Sequence, residues 1–364
     1  MDLSCQLNNS TYSVKLLLLE IITGIMCVLS ITGCLCIIIS FCLYKELRTR
    51  ARLIVVLLAF SVLCYTTANL VGIGVTHLQK KAEIYNNSIL STAVNNSNVL
   101  DTMCKVQAGL AVFFYIASIF WTYCIAFYIL MSVLQSKIMS QITFYFFFII
   151  SWLVPSVIIA YLIVYDYLGY SCISVEKNST IGAEVDVSSI WCTIAYAKVL
   201  NRDSRILINV LAFDVWLFMG YLILPIIFIL VKIAMKKQAS RLSTLYEQCL
   251  KSSREIDVKL LLIPLAFILI NVWSTVRDIL FFLQHKNDYY WLVVLQSVGD
   301  CSQGLVIFVI YFLMTRYVRQ AMRKKCCSCR KESNGYKTIK ASPIRQKWWK
   351  ISKSHVLKEV STVN

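Results

Sequence analysis

Charge is scarce in this sequence. Only 15% of its 364 residues are Asp, Glu, Lys or Arg, against roughly a quarter in soluble domains, which excludes an ordinary water-surrounded globule. Histidine is scarcer still. There are three, no two of them at metal-ligand spacing, so a metalloenzyme has almost nothing to work with and no cofactor is expected. No serine, histidine and acid arrangement stands out for hydrolysis. Fifteen cysteines are too scattered for a metal or disulfide framework, and those inside apolar runs are expected to pack as small apolar side chains. No secretory signal precedes the first apolar run: Met1 to Ser13 is polar and short, while Leu16 to Leu43 is too long for a cleavable hydrophobic region and should stay as an anchor.

What is abundant is hydrocarbon, at 58% hydrophobic residues. The run from Lys259 to Gln284 is long enough to cross about 30 Å of bilayer core at ~1.5 Å per residue. Six more accompany it: Leu16 to Leu43, Leu53 to His77, Met103 to Leu134, Ile142 to Tyr165, Ile206 to Val231 and Trp291 to Met314. They do not alternate every second residue, as barrel strands would. The fold class is therefore an all-α membrane protein, a seven-transmembrane helix bundle. Its parts are an extracellular N-terminus (1–15), the seven-helix domain (16–314), an amphipathic juxtamembrane helix with a cysteine cluster (315–330) and a disordered cytoplasmic tail (331–364).

Seven crossings put the termini on opposite sides. The connections on one side, with the C-terminal tail, hold 26 Lys/Arg and 6 Asp/Glu, and those on the other hold 7 and 9. This asymmetry places the basic side in the cytoplasm and the N-terminus outside. The basic charge reads as inner-leaflet adhesion to membrane lipids, not as a nucleic-acid surface. Glycosylation triplets agree independently, since Asn8, Asn9, Asn86, Asn95 and Asn178 all fall on the outer side.

Ionisable groups inside such runs are costly against lipid and point to an interior. Arg277 lies seven residues from the outer end of its run, Asp214 eight and Asp300 nine, so all three sit about 10–14 Å deep. Shared depth on the fifth, sixth and seventh runs predicts a wet ligand pocket in which Arg277 pairs with Asp300 or Asp214. Trp273, one turn deeper than Arg277 and on its face, is expected to form the floor. Asp278 is expected to point about 100° away, toward a neighbouring helix. A purely stabilising ion-pair network is the plainer alternative. Asn69, in the second run, needs a partner from another helix or a water. At the outer end, Cys104 stands at the start of the third run, and Cys5, Cys172 and Cys192 are further candidates for pairing; connectivity stays open at this stage.

On the inner side, Arg48, Lys137, Arg254, Lys259 and Arg316 are the expected contacts for a partner protein. Between Lys232 and Val258 apolar residues recur at three- and four-residue spacing among charges, as helical extensions into the cytoplasm would. After Met314, basic and apolar residues alternate as in a helix lying along a leaflet, and Cys326, Cys327 and Cys329 beside it are candidates for palmitoylation. The polar tail offers Ser and Thr to a kinase or arrestin.

KLLLIPLAFILINVWSTVRDIL, Lys259 to Leu280, resembles the sixth helix of the orphan G-protein-coupled receptor 157 family, which is related to slime-mould cyclic AMP receptors and secretin-type receptors. LVVLQSVGDCSQGLVIFVIYFLMTRYVR, Leu292 to Arg319, resembles its seventh, and the likeness extends through LRTRARL at Leu47, IASIFWTYCIAFYI at Ile116, SWLVP at Ser151, Trp191-Cys192 and the tail cysteines. The resemblance implies a receptor for an extracellular ligand, in the plasma or ciliary membrane, acting through heterotrimeric G proteins with phospholipase C and calcium as a route. It also implies a disulfide between Cys104 and Cys192. Two departures add acid near the expected pocket: Asp300 stands where the family can have Asn, and Asp278 where an aromatic can stand. The third run ends in AFYILMSVLQSK, without the Asp/Glu-Arg-Tyr triplet of rhodopsin-like receptors, and the seventh has no lysine for a retinal Schiff base. A small-solute transporter or channel is the runner-up, because a permeation path also needs intramembrane charge; the absence of an inverted repeat counts against it.

Overall fold

Hydrocarbon offers no partner for backbone amides, so a chain that crosses it must satisfy them within each segment, and the apolar runs fold as helices. The computed structural model describes residues 10–45, 48–86, 93–134, 141–169, 190–195, 202–239, 261–283 and 290–314. The helices are α1 (Ser10–Leu43), α2 (Arg50–Asn86), α3 (Ala93–Val133), α4 (Gln141–Val164), α5 (Arg202–Asn209), α6 (Val215–Ala239), α7 (Leu262–Phe282) and α8 (Tyr290–Met314). A π turn, Val210–Asp214, joins α5 to α6 into one continuous crossing. Among the described residues seven stretches are long and apolar enough to span a bilayer, and their starts fall within four residues of those expected; the fifth runs further, to Lys237.

Burial is inverted relative to a soluble protein. Leu17, Ile21, Ile25 and Val28 on α1 and Tyr145, Phe146, Ile149, Leu153 and Val157 on α4 are exposed, while Thr23, Ser30, Ser61, Asn69, Ser118, Thr122 and Ser297 are fully buried. Lipid is as apolar as leucine, so apolar side chains gain nothing by turning inward and polar ones gain a hydrogen-bond partner. Many inward hydroxyls donate to a carbonyl one turn back, as Thr122 does to Ser118 at 2.8 Å and Ser297 to Val293 at 2.9 Å. Aromatic rings fill the seam between α3 and α4, where Trp152 meets Phe113, Phe114, Trp121 and Phe148.

The helices close into a ring: α1 packs on α2 and α8, α2 on α3, α3 on α4 and α6, α6 on α7, and α7 on α8. Small residues permit a close approach between α1 and α8. Gly304 donates its backbone N–H to Ser30 Oγ at 2.9 Å, and the Cys27 and Cys301 sulfurs lie 3.1 Å apart. One end of the ring carries a two-stranded antiparallel ribbon, β1 (Leu168–Gly169) with β2 (Thr193–Ile194), in which Leu168 pairs with Ile194. Gly169 has φ 153°, which a side chain would strain.

Candidate functional site

Beneath that ribbon the ring encloses a cavity of about 100 Å³. Its roof is the segment Trp191, Cys192 and Thr193. Four bonds hold the roof down. Cys192 is joined to Cys104 on α3 by a disulfide, and its backbone N–H donates to Gln107 Oε1 at 3.1 Å. The Thr76 hydroxyl on α2 donates to the Ile190 carbonyl at 2.7 Å, and Ala195 N–H donates to the Tyr167 carbonyl at 2.7 Å. The Cβ of Trp191 and the side chain of Gln107 lie flush against Gly72, where an added methyl would come within 2.8 Å of both.

The far wall belongs to α7. Asn271, Ser274, Thr275 and Asp278 recur at three- and four-residue spacing and form one polar stripe that turns into the bundle. Each is tied to a different neighbour. The Tyr115 hydroxyl on α3 donates to Asn271 Oδ1 at 2.9 Å, the Tyr221 and Thr275 hydroxyls share a 2.7 Å bond to α6, and Gln296 Nε2 on α8 donates to Ser274 Oγ at 3.2 Å. Four crossings thus meet in one hydrogen-bonded frame around the cavity.

Of the three ionisable residues expected at a common depth, two meet at the cavity. Arg277, Asp278 and Asp300 line the cavity. Asp214 stands behind them, 1% exposed, accepting a 2.9 Å bond from Asn209 Nδ2 and hydrogen-bonded to Asp278. The π turn produces this placement: Val215 N–H reaches back to the Val210 carbonyl, and the extra residue in the turn rotates Asp214 into the interior. Arg277 acts electrostatically on all three carboxyls. Tyr65, Tyr115, Trp191 and Phe213 supply aromatic walls. Several polar atoms at the lining have no protein partner: both amide atoms of Asn69, Gln296 Oε1 and Asp300 Oδ1.

Asp214, expected to share the pocket, does not line it. Two further expectations need correcting. Trp273 is not the floor; it is 37% exposed on the outer face of α7 and does not line the cavity. Asp278, expected to turn away, lines it instead. Both errors come from taking Arg277 as the marker of the inward face, whereas the polar stripe from Asn271 to Asp278 is that marker. Sequence reasoning also passed over the aromatic walls, although Tyr65 and Asn69 stand one turn apart on α2, as Gln296 and Asp300 do on α8. Asn69 proves to face the cavity. Arg48 is exposed and donates to the Cys42 carbonyl at 2.8 Å, closing the turn after α1. Asn86 is the last residue of α2 and Asn95 falls in the first turn of α3, both beyond the spans. Asn8, Asn9, Asn178, Lys137, Arg254, Lys259, Arg316, Cys326, Cys327 and Cys329 lie outside the described residues.

A ring of seven spans with a strapped roof over a polar cavity is a receptor architecture, and the sequence agrees. Residues 16–307 match the family described as 7 transmembrane receptor (Secretin family), and the chain belongs to that family. Within it, the chain is similar to G-protein coupled receptor 157. It is 28% identical to the mouse protein over 317 residues, which covers 84% of this chain and 85% of that one. It is 27% identical to the human protein over 309 residues, covering 82% of each. The resemblance drawn from the sixth and seventh helices is thereby borne out. In three dimensions the chain superposes on the crystal structure of squid rhodopsin with a TM-score of 0.60 at 16% identity, over 88% of this chain and 87% of that one, which bears out the fold.

Proposed function

We propose that the chain is a receptor that senses an extracellular ligand in the cavity between α2, α3, α7 and α8 and activates heterotrimeric G proteins from its opposite end. The observation that carries this reading is the frame itself. One hydrogen-bonded network joins the cavity wall to the third, fifth, sixth and seventh crossings, so a ligand that prefers one packing of Tyr115, Tyr221, Asn271, Thr275 and Gln296 biases all four helices at once. Similarity to G-protein coupled receptor 157 supports the partner. The basic connections and the sugar acceptors support an outward-facing roof in the plasma membrane or a ciliary extension of it, with phospholipase C and calcium as the output. Arg48, Lys137, Arg254, Lys259 and Arg316 then face the G protein, Cys326, Cys327 and Cys329 take acyl chains, and the tail receives a kinase or arrestin. The test is GDP release from purified G protein by the full chain in lipid nanodiscs. Catalysed release, altered by Arg277→Ala at equal receptor abundance, supports the reading. Solute flux through proteoliposomes with no catalysed release would establish the transporter instead.

A further inference from the structure

The lining of the cavity is chemically lopsided. Among the described lining residues Arg277 is the one cation, while Asp278 and Asp300 face the space directly and Asp214 is hydrogen-bonded to the first of them. An incoming carboxylate or phosphate would compete for a single guanidinium with Asp300 and with the Asp214–Asp278 pair, whose mutual bond holds one proton between them. The acid side, by contrast, keeps acceptors in reserve: Asp300, 8% exposed, has no partner for Oδ1, and Gln296, 7% exposed, has none for Oε1. Fully buried Asn69 brings both amide atoms to the same lining, also unpartnered, and so can serve a donor or an acceptor. A buried acceptor without a donor is costly, and the Gln296 and Asp300 oxygens one turn apart on α8 call for a group that carries several N–H donors.

The rings point the same way. Tyr65 and Tyr115 lie with centroids 5.3 Å apart, Phe213 packs on Tyr115 at 5.7 Å, and these three rings and Trp191 line the same cavity as Asp278 and Asp300. Aromatic faces attract cations through their quadrupole and do nothing comparable for anions. Carboxylates and aromatic rings on one small cavity are what an ammonium group selects.

Resting on the reading that this cavity is the sensing site, we infer that it takes a small organic cation, a protonated amine seated against Asp300, Gln296 and Asn69 with its apolar part between the rings. The cavity of about 100 Å³ suits a compact head group and a short body. Asp300 and Asp278 then act as the residues that set specificity, and Arg277 holds the carboxyls in place while repelling a second cation.

The test uses the full chain in nanodiscs and three probes that share a ring and differ in head group: benzylamine, benzyl alcohol and benzoate. Saturable thermal stabilisation is the readout, which needs no G protein. Benzylamine is expected to bind at least about tenfold more tightly than either of the others, since a single desolvated charge-assisted contact is worth that much. Asp300→Asn, which keeps the shape and loses the charge, should erase the preference for benzylamine over benzyl alcohol. Equal or tighter binding of benzyl alcohol or benzoate overturns the inference, as does no saturable binding of benzylamine up to about 10 mM. An Asp300→Asn chain that keeps the full preference also overturns it. Nucleotide release catalysed without any probe would in each case leave the receptor reading standing.

Discussion

A methyl group at position 304 tests the packing most directly. Gly304 sits where α8 meets α1, and a Cβ there would collide with Ser30 Oγ, come within 2.5 Å of Cys34 Sγ and within 2.8 Å of the Ser30 carbonyl oxygen. The hydroxyl cannot simply rotate away, because it accepts the Gly304 N–H at 2.9 Å, and the carbonyl belongs to the backbone of α1. The helices must part, loosening the contacts around Cys27, Cys34 and Cys301. Overpacking of this kind costs about 1–3 kcal/mol, while alanine returns about 0.8–1 kcal/mol of helix propensity. The difference is roughly 0–2 kcal/mol, and contact with the α1 backbone carbonyl, which cannot swing aside, places Gly304→Ala toward the upper end, a fall of a few degrees in the midpoint of thermal unfolding in detergent. Gly24, also on α1, is the matched control: nothing lies within 4 Å of its added Cβ, so Gly24→Ala should hold or raise the midpoint. A Gly304→Ala chain that unfolds at or above the wild-type temperature would refute the reasoning, since the two helices could not then be in contact at Ser30.

Three further outcomes are expected. Cys104→Ala and Cys192→Ala should lower folding yield equally, because either one opens the same bridge across a sequence separation of 88 residues, worth about 4–5 kcal/mol in chain entropy; peptide mapping under non-reducing conditions checks the pair. Tyr115→Phe removes the donor to Asn271 Oδ1 and should cost about 0.5–1.5 kcal/mol in thermal stability. It should also change G-protein GDP release, whereas loss of stability with unaltered release would confine that bond to packing. Trp273→Ala, on the lipid-facing side of α7, should leave probe binding untouched, and a measured loss of binding would return that side chain to the cavity.

The spans were legible because each carries its own signal: twenty or more apolar residues have one solution in a bilayer, and its ends follow from where the polar residues resume. The common depth of Arg277, Asp214 and Asp300 was legible for the same reason, since depth along a helix is a matter of counting. Rotation about the axis was harder. A π turn adds a residue to one turn of the backbone and leaves no mark in composition, so the angle at which Asp214 enters the bundle could not be counted from Ile206. On α7 the angle was readable after all. Asn271, Ser274, Thr275 and Asp278 trace an inward line that a rule suited to membranes, polar side facing in, would have followed, and Arg277 beside it misdirected the reading toward Trp273. The roof was the least legible part from the residues alone, because four cysteines outside the membrane left several pairings; the family resemblance implied Cys104 with Cys192, which the structure bears out, but not the bonds from Thr76 and Gln107 or the pairing of Leu168 that hold residues 190–195 in place.

The roof of the cavity is bonded on one flank and packed on the other. Among the described residues its disulfide, its ribbon and its two side-chain bonds run to α2, α3 or the chain just after α4, while Ile190 and Trp191 share an apolar cluster with Leu16 and Leu19 of α1 and Val293 of α8. A frame of this kind is stiff along its bonded jamb and yields first along the packed one, since apolar contact has no direction to enforce. On the sensing role proposed above, the easier way past the roof lies beside α8, the helix that also carries Gln296 and Asp300.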